Sequence, residues 1–249
     1  MSEDAWRMYF ADMGGFPASI VFNDGIANRI NDLPLVTAMK IRIPLKSPRA
    51  DGLTTQEESG PLNQLDERYD EIITRHGGEY LGRVTNNGAR WVLSMLPAEV
   101  NGLEADLRSA ASDAGYTPEI HVEPDPDKAV YWNDLYPSED DRQVMRDMEV
   151  QAALVERGDD VRKPRSVEHW SYFRDEASAR GFAGWAAGAG YQSVTVAPPE
   201  GEDRPLWLVR MHHIGTLQLN DISSHSLALS RKAQEAGGQY DGWETALMP

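Results

Sequence analysis

Residues 6–12 alternate, with Trp6, Met8 and Phe10 on one side, and residues 17–23 run back after a Gly14-Gly15 turn. The pair reads as a β-hairpin. A third strand is predicted over 35–45, where Met39, Ile41 and Ile43 recur at period two. A turn follows at Pro48-Arg49-Ala50-Asp51-Gly52. The period then changes, and Leu62, Leu65, Tyr69, Ile72 and Ile73 form one helical stripe. Thr54 is the expected cap, with Glu57 at the capping-box position. Gly77 is the expected stop. Strands over 79–85 and 89–96 flank Asn86-Asn87-Gly88, residues that tolerate the positive φ of a tight hairpin. A second helix places Val100, Leu103, Leu107, Ala110, Ala111 and Ala114 on one face and ends at Gly115. A strand over 116–122 completes the order β-α-β-β-α-β from residue 35.

Residues 124–137 are turn-rich and hold Tyr131, Trp132 and Tyr136. Ser138 is predicted to cap a helix, with Asp141 at the box position and Val144, Met148, Ala152 and Val155 on one face. Gly158 ends it, and 159–164 is a charged loop. The order then repeats. A strand covers 166–174, and Asp175 caps a helix with Phe182, Trp185, Ala186 and Ala189 inward, stopped by Gly190. Strands cover 191–197 and 206–213. A helix from about 219 carries Ile222, Leu229, Ala233 and Ala236, and a strand around Tyr240 closes the chain. The expected fold is α+β: two tandem ferredoxin-like βαββαβ two-layer sandwiches, the first with an extra N-terminal β-hairpin. The expected domains are 1–136 and 137–249, with 35–123 and 166–245 superposing.

One local device occurs twice. Gly77-Gly78-Glu79-Tyr80-Leu81-Gly82-Arg83-Val84-Thr85 and Gly237-Gly238-Gln239-Tyr240-Asp241-Gly242-Trp243-Glu244-Thr245 share the pattern Gly-Gly-x-Tyr-x-Gly-x-x-Thr. The glycine pair reads as a helix stop and the inner glycine as a bulge. In a plain period-two strand Tyr240 and Trp243 face opposite ways; a bulge at Asp241-Gly242 realigns them.

Composition narrows the function. With 40 acidic and 24 basic residues the net charge is −16, which opposes nucleic-acid binding by counterion release and suits a basic protein partner. There is no cysteine, so thiolate chemistry and disulfides are excluded. The acidic start Met1-Ser2-Glu3-Asp4 has no apolar signal core, and no apolar run approaches the roughly 20 residues of a membrane helix. A cytoplasmic protein without membrane contact is expected.

The candidate chemistry is sparse. His212 and His213 are adjacent on a strand and point to opposite faces, which leaves a His169 pair with one of them as the best metal reading; no third ligand at suitable spacing supports it. The carboxylate pairs Glu57-Glu58, Asp66-Glu67 and Asp70-Glu71 read as a solvated helix face before acid–base or Mg²⁺ chemistry. Ser223-Ser224-His225 lacks the geometry of a nucleophile and base, because neighbours on a helix do not face each other. No catalytic residue, cofactor or metal is expected. The closing strand reads first as a packed terminal strand, with Trp243 buried. Its functional alternative is a partner-binding edge comprising Tyr240, Asp241, Trp243 and Glu244 together with His169 and Trp170. Trp170 and Tyr172 share one face of their strand, but seven basic against ten acidic residues from Arg165 onward argue against base stacking there.

Residues 142–245 resemble the regulator of ribonuclease E activity B family. The likeness rests on Glu156-Arg157-Gly158-Asp159-Asp160, Val167-Glu168-His169-Trp170, Gly190-Tyr191 and Tyr240-Asp241-Gly242-Trp243. Residues 1–136 resemble a domain of unknown function often fused to it, through Pro17-Ala18-Ser19, Pro48-Arg49-Ala50-Asp51-Gly52-Leu53, Tyr80-Leu81-Gly82-Arg83 and Leu135-Tyr136-Pro137-Ser138. The resemblance implies a non-catalytic protein that binds an RNase E-type endonuclease, inhibits it and alters messenger RNA turnover. Two alternatives stand beside it: a small-ligand or enzymatic role for the first domain, favoured by a polar pocket with convergent carboxylates or histidines, and RNA binding through an open sheet face, favoured by a basic stripe.

Overall fold

The alternating segments become strands of two antiparallel sheets in the computed structural model, which describes residues 4–201 and 205–249. The chain divides into two units, Met1–Ser138 and Glu139–Pro249. The first holds β1 (Trp6–Met13), β2 (Phe16–Asn23), β3 (Thr37–Pro44), β4 (Glu79–Asn86), β5 (Ala89–Leu96) and β6 (Glu119–Pro124), in the order β1-β2-β4-β5-β3-β6. Helices α1 (Gln56–Arg75) and α2 (Leu103–Asp113) pack together over a core that includes Met39, Ile41, Ile43, Leu65, Tyr69 and Leu107. The short α3 (Ala129–Trp132) and the residues after it cover the hairpin on its Tyr9 side. There Tyr131 donates to the Asn23 carbonyl at 2.9 Å and Tyr9 to the Leu135 carbonyl at 3.0 Å. The Trp6, Met8 and Phe10 side of β1 is the exposed one, because β1 is an edge strand.

The second unit opens with α4 (Glu139–Glu156). It continues with β7 (Arg165–Phe173), α5 (Glu176–Gly188), β8 (Gln192–Ala197), β9 (Trp207–Gly215), α6 (Leu219–Glu235) and β10 (Gln239–Thr245). Its strands lie in the order β10-β7-β9-β8. Buried and open positions alternate strictly along β7: Val167, His169, Ser171 and Phe173 point inward, and Trp170 and Tyr172 lie on the other face. Arg165, buried at the start of β7, donates to Asp159 at 2.6 Å and to the carbonyls of Asp160 and Ala246. The charged loop is thereby tied to the end of the chain.

Two local expectations need correction. The cap of α1 is Thr55, whose Oγ1 accepts from the Glu58 N–H at 3.3 Å. Thr54 is instead bridged to Pro48. Glu57 is exposed, and the buried Glu58 carboxylate accepts from the backbone N–H groups of Lys46 and Ser47 and from the Tyr116 hydroxyl. The inward face of α4 is also not the apolar set Val144, Met148, Ala152 and Val155. Gln143 and Asp147 are buried, whereas Ala152 and Val155 are exposed. A polar network, set out below, overrides the apolar spacing.

The two glycine devices form as expected at their helix ends and bulges. Gly77 and Gly237 adopt φ of 80° and 72° after α1 and α6. Register shifts fall between Tyr80 and Gly82 in β4, and between Tyr240 and Gly242 in β10. Gly82 is in an inner strand, and a Cβ there would lie 2.3 Å from the Val21 carbonyl oxygen of β2. Gly82→Ala is therefore expected to lower stability by about 1–3 kcal/mol, since backbone must shift. Gly184→Ala, on the exposed side of α5 with nothing within 4 Å, is expected to stabilise by up to about 1 kcal/mol. Urea denaturation of both variants checks the contrast.

Candidate functional site

The second unit is organised on a carboxylate. Asp147, on α4, is 1% exposed and has no cation at bonding distance among the described residues. Its Oδ1 accepts from Gln143 Nε2 at 3.0 Å and from Trp243 Nε1 at 2.9 Å. Its Oδ2 accepts from the Ser223 hydroxyl at 2.9 Å and from the Ser226 hydroxyl. Four donors on three elements, α4, α6 and β10, thus share one buried anion. A buried charge persists only when its lone pairs are filled in this way. Ser223 is accordingly a structural donor, and Ser224 turns to the Asp221 carbonyl, so the Ser223-Ser224-His225 run forms no catalytic pair.

The β10 bulge makes this network possible. Tyr240 pairs with Ser171 and Trp243 with His169, so both aromatics fall on the helix-covered face. Tyr240 enters the core with Phe173, Phe182 and Met211, and Trp243 packs with Val167, Leu217 and Ile222. Of the six proposed partner residues, His169, Tyr240 and Trp243 are buried, and Trp170, Asp241 and Glu244 are accessible to different degrees. A groove of about 450 Å³ gathers four of the six: Trp170, Asp241, Trp243 and Glu244, with Tyr172, Arg146 and Glu149 also lining it. It lies along edge strand β10, between α4 and the open face of the sheet. Tyr240 and His169 stand behind it in the core.

His169 belongs instead to an internal relay. Its Nδ1 and the Tyr240 hydroxyl hydrogen-bond at 2.8 Å, and its Nε2 and His213 Nδ1 at 2.8 Å. The His213 ring stacks on His225 with centroids 3.7 Å apart, and His225 Nδ1 hydrogen-bonds with the Tyr191 hydroxyl at 3.0 Å. His213 is buried and His212 lies on the other face. Among the described residues no group of three or more His, Asp or Glu is placed to hold a metal ion. Burial, with the neighbouring imidazoles, pushes His169 down to about 2 and His213 to about 4, and burial lowers His225 against the opposing charge of Asp221. The relay was not legible as a unit, because its members come from three strands, a helix and the residue before β8; strand parity separated His213 from His212 without saying which one faces inward.

The acidic face of α1 also differs from expectation. Glu57, Glu67 and Glu71 are exposed, but Glu58 and Asp66 are buried. Asp66 Oδ2 takes Arg90 Nη1 at 2.7 Å and Arg83 Nε at 3.4 Å.

Residues 4–136, more than half of the chain, match the family model described as a family of unknown function (DUF695). Residues 145–245 match the model described as Regulator of ribonuclease activity B. No curated protein matches the chain. A crystal structure of an unknown protein from Galdieria sulphuraria is 13% identical, the match covering 85% of this chain and 99% of that one. Its TM-score of 0.23 is too low to carry an argument about fold. No helix among the described residues is long and apolar enough to cross a membrane.

Two outcomes are expected. Trp243→Phe keeps the ring but removes the donor to Asp147, and should cost about 1.5–3 kcal/mol, the worth of a hydrogen bond to a charged group. Trp243→Ala should cost about 3–5 kcal/mol. Urea midpoints of both separate the hydrogen bond from the packing. The histidines give a pH signature. In the unfolded chain they titrate near about 6.5, so as pH falls the unfolded state takes up protons first. The stability present above that value is lost as pH falls from about 6.5 towards the lowered folded value of about 4 for His213. The histidines should therefore lower the melting temperature through this window, against an opposing contribution from Asp66, which is raised to about 6 and takes up a proton in the folded state there; the fall should be shallower in His213→Asn relative to its own value near neutrality.

Proposed function

We propose that this chain, which belongs to the DUF695 family of unknown function and carries a Regulator of ribonuclease activity B domain, is a non-catalytic regulator that acts by binding a ribonuclease. The finer reading is that the partner is an RNase E-type endonuclease in the cytoplasm, that binding inhibits it, and that messenger RNA turnover changes as a result. The observation that carries the protein-binding mode is the β10 groove, whose lining gathers Trp170, Asp241, Trp243 and Glu244. Aromatic side chains beside an edge strand provide contact area and main-chain pairing for an extended segment. Glu149, Asp241 and Glu244 against Arg146 favour a segment rich in lysine and arginine, as does the net charge of −16.

RNA on the open face of this sheet is the weaker reading. Trp170 and Tyr172 are offered there, but Glu168 and Glu244 flank them, and Arg210 is drawn to Glu168 at 3.6 Å. Base stacking requires a basic surround to hold the phosphates. We further propose that the two units are separate domains, 1–136 and 137–249, of ferredoxin-like fold. The shared strand order supports this: β6-β3-β5-β4 in one and β10-β7-β9-β8 in the other, each with a helix after its first and third strand.

A pull-down with an RNase E-type endonuclease, followed by RNA cleavage by the captured enzyme, tests the proposal. Trp170→Ala combined with Asp241→Lys and Glu244→Lys should abolish capture and inhibition while leaving the melting temperature unchanged, because these side chains lie outside the Asp147 network. A hot-spot aromatic alone should account for about 2 kcal/mol of affinity. Cleavage of RNA by this chain alone, or capture undiminished in the triple variant, would overturn it.

A further inference from the structure

A second concave site lies in the first unit and owes nothing to the regulatory reading. It is a pocket of about 320 Å³ between α1 and the β1–β2–β4 side of the sheet, lined by Trp6, Asn63, Asp66, Asp70, Tyr80 and Arg83. Asp66 is 4% exposed, and the two arginines that neutralise it both converge on Oδ2. Its Oδ1 is buried with no donor, and so is the hydroxyl of Tyr80. Arginine frequently grips a carboxylate through both oxygens; Asp159 Oδ1 beside Arg165 is bare as well, and what sets Asp66 apart is that it lines a cavity. Asp66 lines the cavity while its second oxygen is buried without a donor, and a bare buried acceptor calls for an explanation.

We propose that this pocket binds a small organic cation, an ammonium or guanidinium head on a flat or apolar body. The head would donate to Asp66 Oδ1. Its sign follows from the wall, where Asp66, Asp70 and Glu67 face Arg83. Arg90, engaged by Thr85, Asn63 and Asp66, offsets one of these carboxylates, so three acidic groups still stand against two guanidiniums. The body follows from the aromatics. Trp6 is 42% exposed, and its ring centroid lies 5.5 Å from that of Tyr80 at 57°. These rings offer an apolar wall and a cation–π surface to a neighbouring ligand. The volume is at the small end for ligand sites. Burial also raises Asp66 to about 6 in spite of both arginines, so an incoming cation would favour its ionised form.

Titration calorimetry on the full chain tests this, with benzylammonium as the probe and benzyl alcohol and benzoate as the neutral and anionic controls. Benzylammonium should saturate one site, and the controls should bind at least about tenfold more weakly. Its affinity should be several-fold higher at about pH 8 than at about pH 5, where Asp66 is protonated. Trp6→Ala and Asp70→Asn, both at the accessible wall, should each weaken binding several-fold with an unchanged melting temperature. Asp66→Asn should abolish binding, and its melting curve shows whether it folds. The proposal is overturned by no saturation at about 20 mM benzylammonium, by benzyl alcohol or benzoate binding as tightly, or by full affinity in both Trp6→Ala and Asp70→Asn.

Discussion

The second unit depends on one carboxylate, Asp147, that is buried without a cation and is held by four neutral donors. Removing an ion from water costs several kcal/mol, and only a complete set of hydrogen bonds offsets it. That requirement fixes the positions of Gln143 on α4, Ser223 and Ser226 on α6, and Trp243 on β10 at once. It also explains why α4 turns Gln143 and Asp147 inward, in place of its valines. The register of the helix against the sheet follows from satisfying the anion, and the apolar contacts of Val167, Leu217 and Ile222 assemble around it.

The bulge in β10 serves the same constraint. Without the extra residue at Asp241-Gly242, Tyr240 and Trp243 would point to opposite faces. With it, Tyr240 reaches His169 and Trp243 reaches Asp147. The upstream copy behaves alike: after the shift at Gly82, Tyr80 enters the core and Arg83 reaches Asp66 on α1. In both units a tyrosine and the residue three places on are brought to one side, and the second meets a buried aspartate. The difference lies in the donor. Arg83 and Arg90 supply charge to Asp66 but leave one of its oxygens bare, whereas Asp147 is filled by neutral groups. Both aspartates line a concave site, but the first keeps an oxygen without a donor whereas both oxygens of the second are engaged.

The accessible chemistry is therefore separated from the buried chemistry. In the second unit, Trp170, Asp241 and Glu244 remain at the groove, while His169, His213 and Tyr240 form an internal relay. That relay makes stability sensitive to mild acid without presenting a ligand-binding face. In the first unit, an acidic helix that looks uniformly solvated divides into exposed Glu57, Glu67 and Glu71 and buried Glu58 and Asp66.

By itself the sequence determined the element order, the hairpin at Gly14-Gly15, the two helix-stop glycines and the parity that puts His169 and Trp170 on opposite faces. These follow from local rules: period two along a strand, a stripe along a helix, and positive φ at glycine. The family matches could likewise be read from runs such as Tyr240-Asp241-Gly242-Trp243. What only the tertiary structure decided is which polar residues are buried. Thr54 and Thr55, or Glu57 and Glu58, differ by one position on a helix end, and the choice was made by Lys46, Ser47 and Tyr116, which need the Glu58 carboxylate. Asp66, Asp147 and the histidine relay were equally illegible. Their partners on other elements lie 17 to 96 residues away in the chain, and periodicity has no term for a hydrogen bond across elements. Spacing reports where apolar surface must be covered; the requirement that every buried charge find its donors acts only once the elements have met.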